Sequence, residues 1–204
     1  MILSQLKRLV ERTISEVEKD YQKTQGLILT EGDLQCILYQ RLGKYSIFSK
    51  SKPTSDKMVL SPSLHTELSW YDDQRRLTIK PDITILDQKY LSILHGTGDK
   101  AKLPSKSCSF GGDAILLELK FIRSKGGIRA KTVEKELRKD LNKIDRLLQR
   151  LDDQHAPYKI FCYFVVFNKT DIKCREFELL EQSINHPENP RYKLIYGTGK
   201  VKFN

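Results

Sequence analysis

Two strongly patterned runs, residues 77–86 and 113–121, constrain the fold more than any other part of the chain. In each run the odd-numbered residues are almost all apolar, which predicts a β-strand with one face on a core. The even-numbered face carries Asp82 in the earlier run and Glu118 and Lys120 in the later one. Charges in an otherwise buried strand cost stability unless they are paired or bind a ligand. The runs therefore predict two strands whose charged side chains are paired with each other or bind a ligand.

Asp82 and Glu118 are candidate metal ligands, and Lys120 is a candidate catalytic residue. Magnesium commonly takes one or two carboxylates and completes its shell with waters and phosphate oxygens. Lys120 shares a face with Glu118, where an ammonium would orient or deprotonate an attacking water, or neutralise charge on a phosphate. The structural alternative is a pair of ordinary strands joined by a salt bridge between Asp82 and Lys120.

The sequence Pro81-Asp82, followed after a spacer by Glu118-Leu119-Lys120, resembles the PD-(D/E)xK nuclease superfamily. The resemblance extends to the order of elements over most of the chain. It implies a restriction-endonuclease-like α/β/α sandwich with a central mixed β-sheet. It also implies hydrolysis of phosphodiester bonds, most commonly in DNA, with Mg²⁺ as the cofactor and Mn²⁺ as a substitute.

The composition of the chain is consistent with a protein that acts on nucleic acid. A chain of 204 residues is most simply one domain, and a net charge of +10 with a pI near 9.4 favours a polyanionic partner. Nucleic acid is the first choice and an anionic membrane the second, whereas a generally basic surface is the plain alternative. The four cysteines and four histidines show no zinc or disulfide spacing, and no signal peptide or long apolar run is present. These features predict a reduced, cytoplasmic protein without a membrane span.

Two helices are predicted in the N-terminal part, residues 1–43. Residues 2–21 have an apolar stripe and a charged back, which predicts a helix that docks on the core with a solvated back; a surface for a partner or a homodimer is the alternative. Thr30 is predicted to cap the second helix in a capping box with Asp33. Glu31 lies along the apolar stripe of that helix, and the resemblance implies an early helix that brings an acid to the active site. Alternatively, Glu31 only complements the positive end of the helix.

A hairpin is predicted from the alternating residues 64–71 through a turn into the strand that carries Asp82. Glu67, on its first strand, is a second candidate for the additional acid, because some members of the superfamily supply one there; a surface position is the alternative. Pro81 cannot donate a ladder hydrogen bond, so its strand is predicted to be an edge strand or to be bulged at that point.

Two stretches outside the regular elements are predicted as loops, residues 45–63 and 87–112. The second is long, and long loops in compact domains tend to be functional or mobile. It carries three lysines that are candidate contacts to a nucleic-acid backbone: Lys100, Lys102 and Lys106. A mobile hairpin insertion without that role is the alternative.

A helix is predicted over residues 131–151, with an apolar stripe and an almost entirely basic opposite face. Lys135 and Lys139 are candidates for reaching the active site or nucleic acid, whereas a solvated helix back is the alternative. Residues 158–167 are apolar on both faces, which predicts an interior strand that completes a β-α-β crossover. The sheet and crossover helix thus occupy residues 64–167, and a helix and a strand within 173–200 close the domain.

The leading hypothesis is a magnesium-dependent endonuclease acting on DNA. The alternatives are a nuclease acting on RNA and a non-catalytic nucleic-acid-binding module on the same fold. A third hypothesis is an interaction protein whose lysine-rich surface meets acidic partners. Magnesium dependence separates the nuclease from the other two classes.

Overall fold

The computed structural model describes residues 3–57, 59–71, 77–93, 109–153, 159–189 and 191–202. The helices are α1 (Leu3–Lys23), α2 (Glu31–Leu42), α3 (Ser46–Ser49), α4 (Ala130–Thr132), α5 (Arg138–Asp153) and α6 (Arg175–Ile184). A π-helical turn, Val133–Leu137, joins α4 to α5, and a 3₁₀ turn spans Gln88–Tyr90. The strands are β1 (Lys52–Pro53), β2 (Leu60–Ser61), β3 (Leu64–Thr66), β4 (Trp70–Tyr71), β5 (Leu77–Ile79), β6 (Ile83–Leu86), β7 (Leu91–Ser92), β8 (Ser109–Phe110), β9 (Ala114–Ile122), β10 (Ile160–Asn168) and β11 (Tyr192–Thr198).

The centre of the fold is a five-stranded mixed sheet in the order β11-β10-β9-β6-β3. Strands β9, β10 and β11 are parallel, whereas β6 runs antiparallel to both β9 and β3. The predicted mixed α/β architecture is therefore confirmed. The interior position of β10 and the β-α-β connection from β9 are also as predicted, because a parallel neighbour requires a crossover.

Helices cover both faces of this sheet, as the alternating side chains of β9 require. Ile115 and Leu117 belong to a core cluster that includes the buried residues of α1 and α2. Leu116, between them, belongs to a second cluster with the buried residues of α5 and α6. The capping box at Thr30 is present as predicted: Asp33 N–H donates to Thr30 Oγ1, and Asp33 Oδ2 accepts from Thr30 N–H.

The long hairpin predicted for residues 64–86 is interrupted on both strands. The first strand breaks at Glu67, which has a positive φ of 53°. The second breaks at residues 80–82, around Pro81, and only β6 continues into the central sheet. Strand β6 lies between β9 and β3, so of the two alternatives the edge position is wrong, whereas the strand is indeed irregular around Pro81, where β5 has ended and β6 has not yet begun. Residues 45–63 are also more regular than predicted, because they include α3, β1 and β2.

The outer strand β11 has hydrogen-bond partners on its free side. The side chain of Asn185, just after α6, accepts from Leu194 N–H at 2.9 Å and donates to the Leu194 carbonyl at 3.0 Å. Glu18 of α1 accepts from Thr198 N–H at 3.1 Å. Side chains thus occupy backbone groups that a further strand would use. Within the described residues, none of the helices is both long and apolar enough to span a bilayer.

Candidate active site

The candidate site lies where β6 stops and β9 continues, paired only with β10 on its other side. The last paired residues are Ile83 and Leu117, so the backbone of β9 beyond them has lost its β6 neighbour. Asp82 Oδ2 accepts from Leu119 N–H at 2.7 Å, and further along Glu31 Oε2 accepts from Phe121 N–H at 3.1 Å. Two carboxylates thus replace the carbonyl acceptors that a longer β6 would have supplied.

Asp82 and Glu118 each follow directly on the last paired residues of β6 and β9, and they lie close enough for the charge of Asp82 to raise the pKa of Glu118. The Asp82 backbone is fixed there, because its carbonyl accepts from Gln35 Nε2 of α2 at 2.9 Å and from Glu67 N–H at 3.2 Å. Helix α2 and the break at Glu67 therefore both hold the end of β6 in place.

Burial and mutual repulsion raise the pKa of both carboxyls. The pKa of Glu118 rises to about 8, chiefly through burial and then through the charges of Asp82 and Asp140. The pKa of Asp82 rises to about 6, again chiefly through burial, although the hydrogen bond from Leu119 opposes the rise. Both groups would lower their energy by sharing a proton or a cation.

Glu118 also has a buried oxygen, Oε2, without a hydrogen-bond partner among the described residues. Buried polar atoms are rarely left unsatisfied, because desolvation then goes uncompensated. Such an oxygen can coordinate a divalent cation directly. The unpartnered Oε2 therefore indicates where a bound cation is expected.

Lys120 projects from β9 two residues beyond Glu118 and lies between two acids. Its Nζ is 3.6 Å from Glu31 Oε2 and 3.2 Å from Asp140 Oδ2. Burial alone lowers the pKa of Lys120, but the charges of Glu31 and Asp140 outweigh it, so the pKa lies above its ordinary value. Within the described ranges no ion pair joins Lys120 to Asp82. The alternative, in which these two residues form a structural salt bridge, is therefore wrong.

The sequence interpretation missed Asp140. This aspartate on α5 is buried against the sheet and also lies 2.7 Å from Lys143 Nζ through Oδ1. A signal was present, because Asp140 falls three residues after Leu137 and four before Ile144, on the apolar stripe. A single acid within such a stripe predicts a buried carboxylate, as it does for Glu31.

The other predicted residues lie away from this cluster or outside the described part. Glu67 is exposed and pairs with Lys80 at 2.5 Å, so of the two proposed acids it is Glu31 that contacts Lys120. Lys135, in the π-helical turn, and Lys139, on α5, are exposed, and their predicted role stays a prediction. The three loop lysines, Lys100, Lys102 and Lys106, lie outside the described residues.

The donor set fits magnesium better than a metal that needs a full protein cage. Across the ranges that the structure describes, no group of three or more His, Cys, Asp or Glu side chains is arranged to hold a metal ion. Magnesium needs only one or two carboxylates and keeps waters and phosphate oxygens as its other ligands. Asp82 and Glu118, with the orphaned Oε2, meet that requirement.

Comparisons with known proteins give no match: no family model fits the sequence, no curated protein is significantly similar to it, and no solved structure matches its fold.

Proposed function

We propose that this protein is a metal-dependent nuclease that hydrolyses phosphodiester bonds, with DNA the expected substrate. The observation that supports the proposal is the cluster at the end of β6, where the charges of Asp82 and Lys120 both act on Glu118 and one Glu118 oxygen is buried without a partner among the described residues. The net charge of +10 favours a polyanionic substrate for such a site.

In this proposal Asp82 and Glu118 hold a magnesium ion, which supplies charge stabilisation to a phosphate when it is bound. Lys120 carries a full positive charge, since its neighbouring carboxylates raise its pKa. It is therefore suited to orient an attacking water and to neutralise charge on the phosphate, and poorly suited to accept a proton. Leu119 N–H keeps one Asp82 oxygen fixed, which leaves the other for a ligand.

Magnesium titration by calorimetry, paired with a cleavage assay on single- and double-stranded DNA and RNA, tests the proposal. Binding of one ion and cleavage that stops on chelation are expected for the wild-type protein. Asp82→Asn is expected to lose both, because it removes a ligand charge while keeping the shape of the side chain. Glu178→Gln is the matched control, since Glu178 is exposed on α6.

Two results would contradict the proposal. Nucleic-acid binding without metal binding or cleavage would indicate a binding module on this fold. Cleavage that survives in Asp82→Asn under magnesium would remove the assigned ligand from the reaction.

Binding to nucleic acid is expected to weaken steeply with salt, because lysine and arginine contacts release counterions from the phosphate backbone. Reversing the charges of Lys100, Lys102 and Lys106 together is expected to flatten the dependence of log affinity on log salt. The same reversal at Lys135 and Lys139 tests the exposed helix face independently. Fluorescence anisotropy across a salt series measures both slopes, and whichever set leaves the slope unchanged does not contact the backbone.

A further inference from the structure

Asp140 stands apart from the other charged side chains of this fold. It is only 8% exposed, and in the described ranges no other Asp, Glu, Lys, Arg or His is as deeply buried. A buried carboxylate usually adds no net stability, because desolvation offsets the attraction of its partners. An apolar residue at this position would extend the stripe of α5. The charge therefore points to a role other than packing.

Both oxygens of Asp140 are engaged by lysines. Oδ2 lies 3.2 Å from Lys120 Nζ, and Oδ1 lies 2.7 Å from Lys143 Nζ. The Lys143 side chain is 40% exposed, so it compensates the carboxylate from the solvent side. Lys143 thus fixes one oxygen of Asp140 and leaves the other directed at Lys120.

Glu31 is the other acid that contacts Lys120, but it is held less tightly. Its Oε2 is 3.6 Å from the ammonium and also accepts from Phe121 N–H, and its side chain is 42% exposed. Asp140 is nearer and more buried. The turn just before α5 is π-helical, with Arg138 N–H bonded to the Val133 carbonyl, and such turns are frequent at functional sites.

We propose that Asp140 is the positioning residue for Lys120: its carboxylate, clamped by Lys143, fixes the ammonium beside Glu118. Asp140 acts through Lys120 and touches neither substrate nor metal. The catalytic part of this inference rests on the proposed nuclease function. The positional part does not, because it concerns where the Lys120 side chain is held.

A double-mutant cycle tests the catalytic part. Asp140→Asn is expected to lower the single-turnover cleavage rate by on the order of 10²-fold, since misplaced catalytic groups cost about that much. In a Lys120→Met background the same change is expected to have no further effect on rate. Asp145→Asn, an exposed aspartate on the same helix, is the matched control. Equal rate losses from Asp140→Asn in both backgrounds would assign Asp140 a role independent of Lys120.

Amine labelling tests the positional part without any assay of activity. Limited acetylation of lysines, read by mass spectrometry, is expected to modify Lys120 several-fold faster in Asp140→Asn than in the wild-type protein, with exposed Lys131 as the internal reference. Unchanged Lys120 labelling in a variant that melts like the wild type would overturn the proposal. Faster labelling in a protein that never cleaves nucleic acid would keep Asp140 as the anchor of Lys120 and reject the nuclease function instead.

If Asp140→Asn does not fold, Asp140→Glu supplies the second variant. It retains the charge but moves it by one methylene, so a fold that depends only on a buried acid tolerates it. The positioning role predicts a slower reaction and faster Lys120 labelling even when the melting temperature is unchanged. A folded Asp140→Glu protein with wild-type rate and labelling would contradict the proposal.

Discussion

Glu118→Gln is expected to abolish cleavage and, in metal-free buffer near pH 8, to raise the melting temperature. Cleavage is lost because the neutral amide removes the negative charge that a carboxylate ligand supplies to magnesium. Stability rises because the wild-type protein must either protonate Glu118 or bury its charge beside Asp82. Each pKa unit of such a shift corresponds to about 1.4 kcal/mol, so the relief is on the order of a few kcal/mol.

The dependence of this effect on pH has a definite sign. In the unfolded chain Glu118 titrates near its ordinary value of 4.5, whereas in the fold its pKa is about 8. Between these values the folded protein binds more protons than the unfolded chain, so its free energy of unfolding falls as the pH rises. Asp82 contributes in the same direction between 3.8 and about 6. Glu118→Gln removes the larger part of this decline.

Thermal melts from pH 5 to 8 with a chelator, repeated with excess magnesium, measure the effect. Magnesium is expected to restore stability to the wild-type protein at pH 8 and to leave Glu118→Gln unchanged. Glu178→Gln should follow the wild type throughout, because its side chain is exposed. A Glu118→Gln protein that melts lower than the wild type at pH 8 would show that the ionised carboxylate is stabilised by its surroundings.

Lys120→Ala is expected to lose roughly 10²–10⁴-fold in the single-turnover cleavage rate while it retains metal and substrate binding. Neither of the proposed metal ligands, Asp82 and Glu118, is changed, so calorimetry should return the wild-type stoichiometry. Lys120→Arg is expected to rescue little, because the planar guanidinium is bulkier than the ammonium that contacts Glu31 and Asp140.

Lys193→Ala is the control for this substitution. Lys193 is also a strand lysine paired with a helix acid, Glu11, at 3.1 Å, but it lies on β11. It should cleave like the wild type. A Lys120→Ala protein that is destabilised yet cleaves at a near wild-type rate per folded molecule would reduce Lys120 to a structural residue.

The local pattern of the sequence predicts those parts of the fold that local chemistry determines. The capping box at Thr30 and the interior strand β10 follow from residue types and spacing alone. The proximity of Asp82 to Glu118 also follows, because alternation assigns both to one face of neighbouring strands. The break at Glu67 is different, because a left-handed conformation at a glutamate is uncommon and depends on the tertiary structure around it.

The residues that contact Lys120 could not be predicted from local sequence patterns in the same way. Periodicity predicts that Asp140 faces inwards, but which strand residue it meets depends on how α5 packs along the sheet. Glu31 reaches Lys120 only because β6 stops short and leaves the edge of β9 open to α2. Both contacts are products of packing between elements distant in sequence, and a single sequence carries no direct record of them.

The side-chain bonds along β11 bear on how copies of this protein can associate. An outer strand with free backbone groups is a template for a second chain, whether in an orderly dimer or in aggregates. Here Asn185 satisfies both backbone groups of Leu194, and Glu18 satisfies Thr198 N–H. A sheet continued through β11 into a second molecule would have to displace these bonds first. Self-association through this strand is therefore disfavoured.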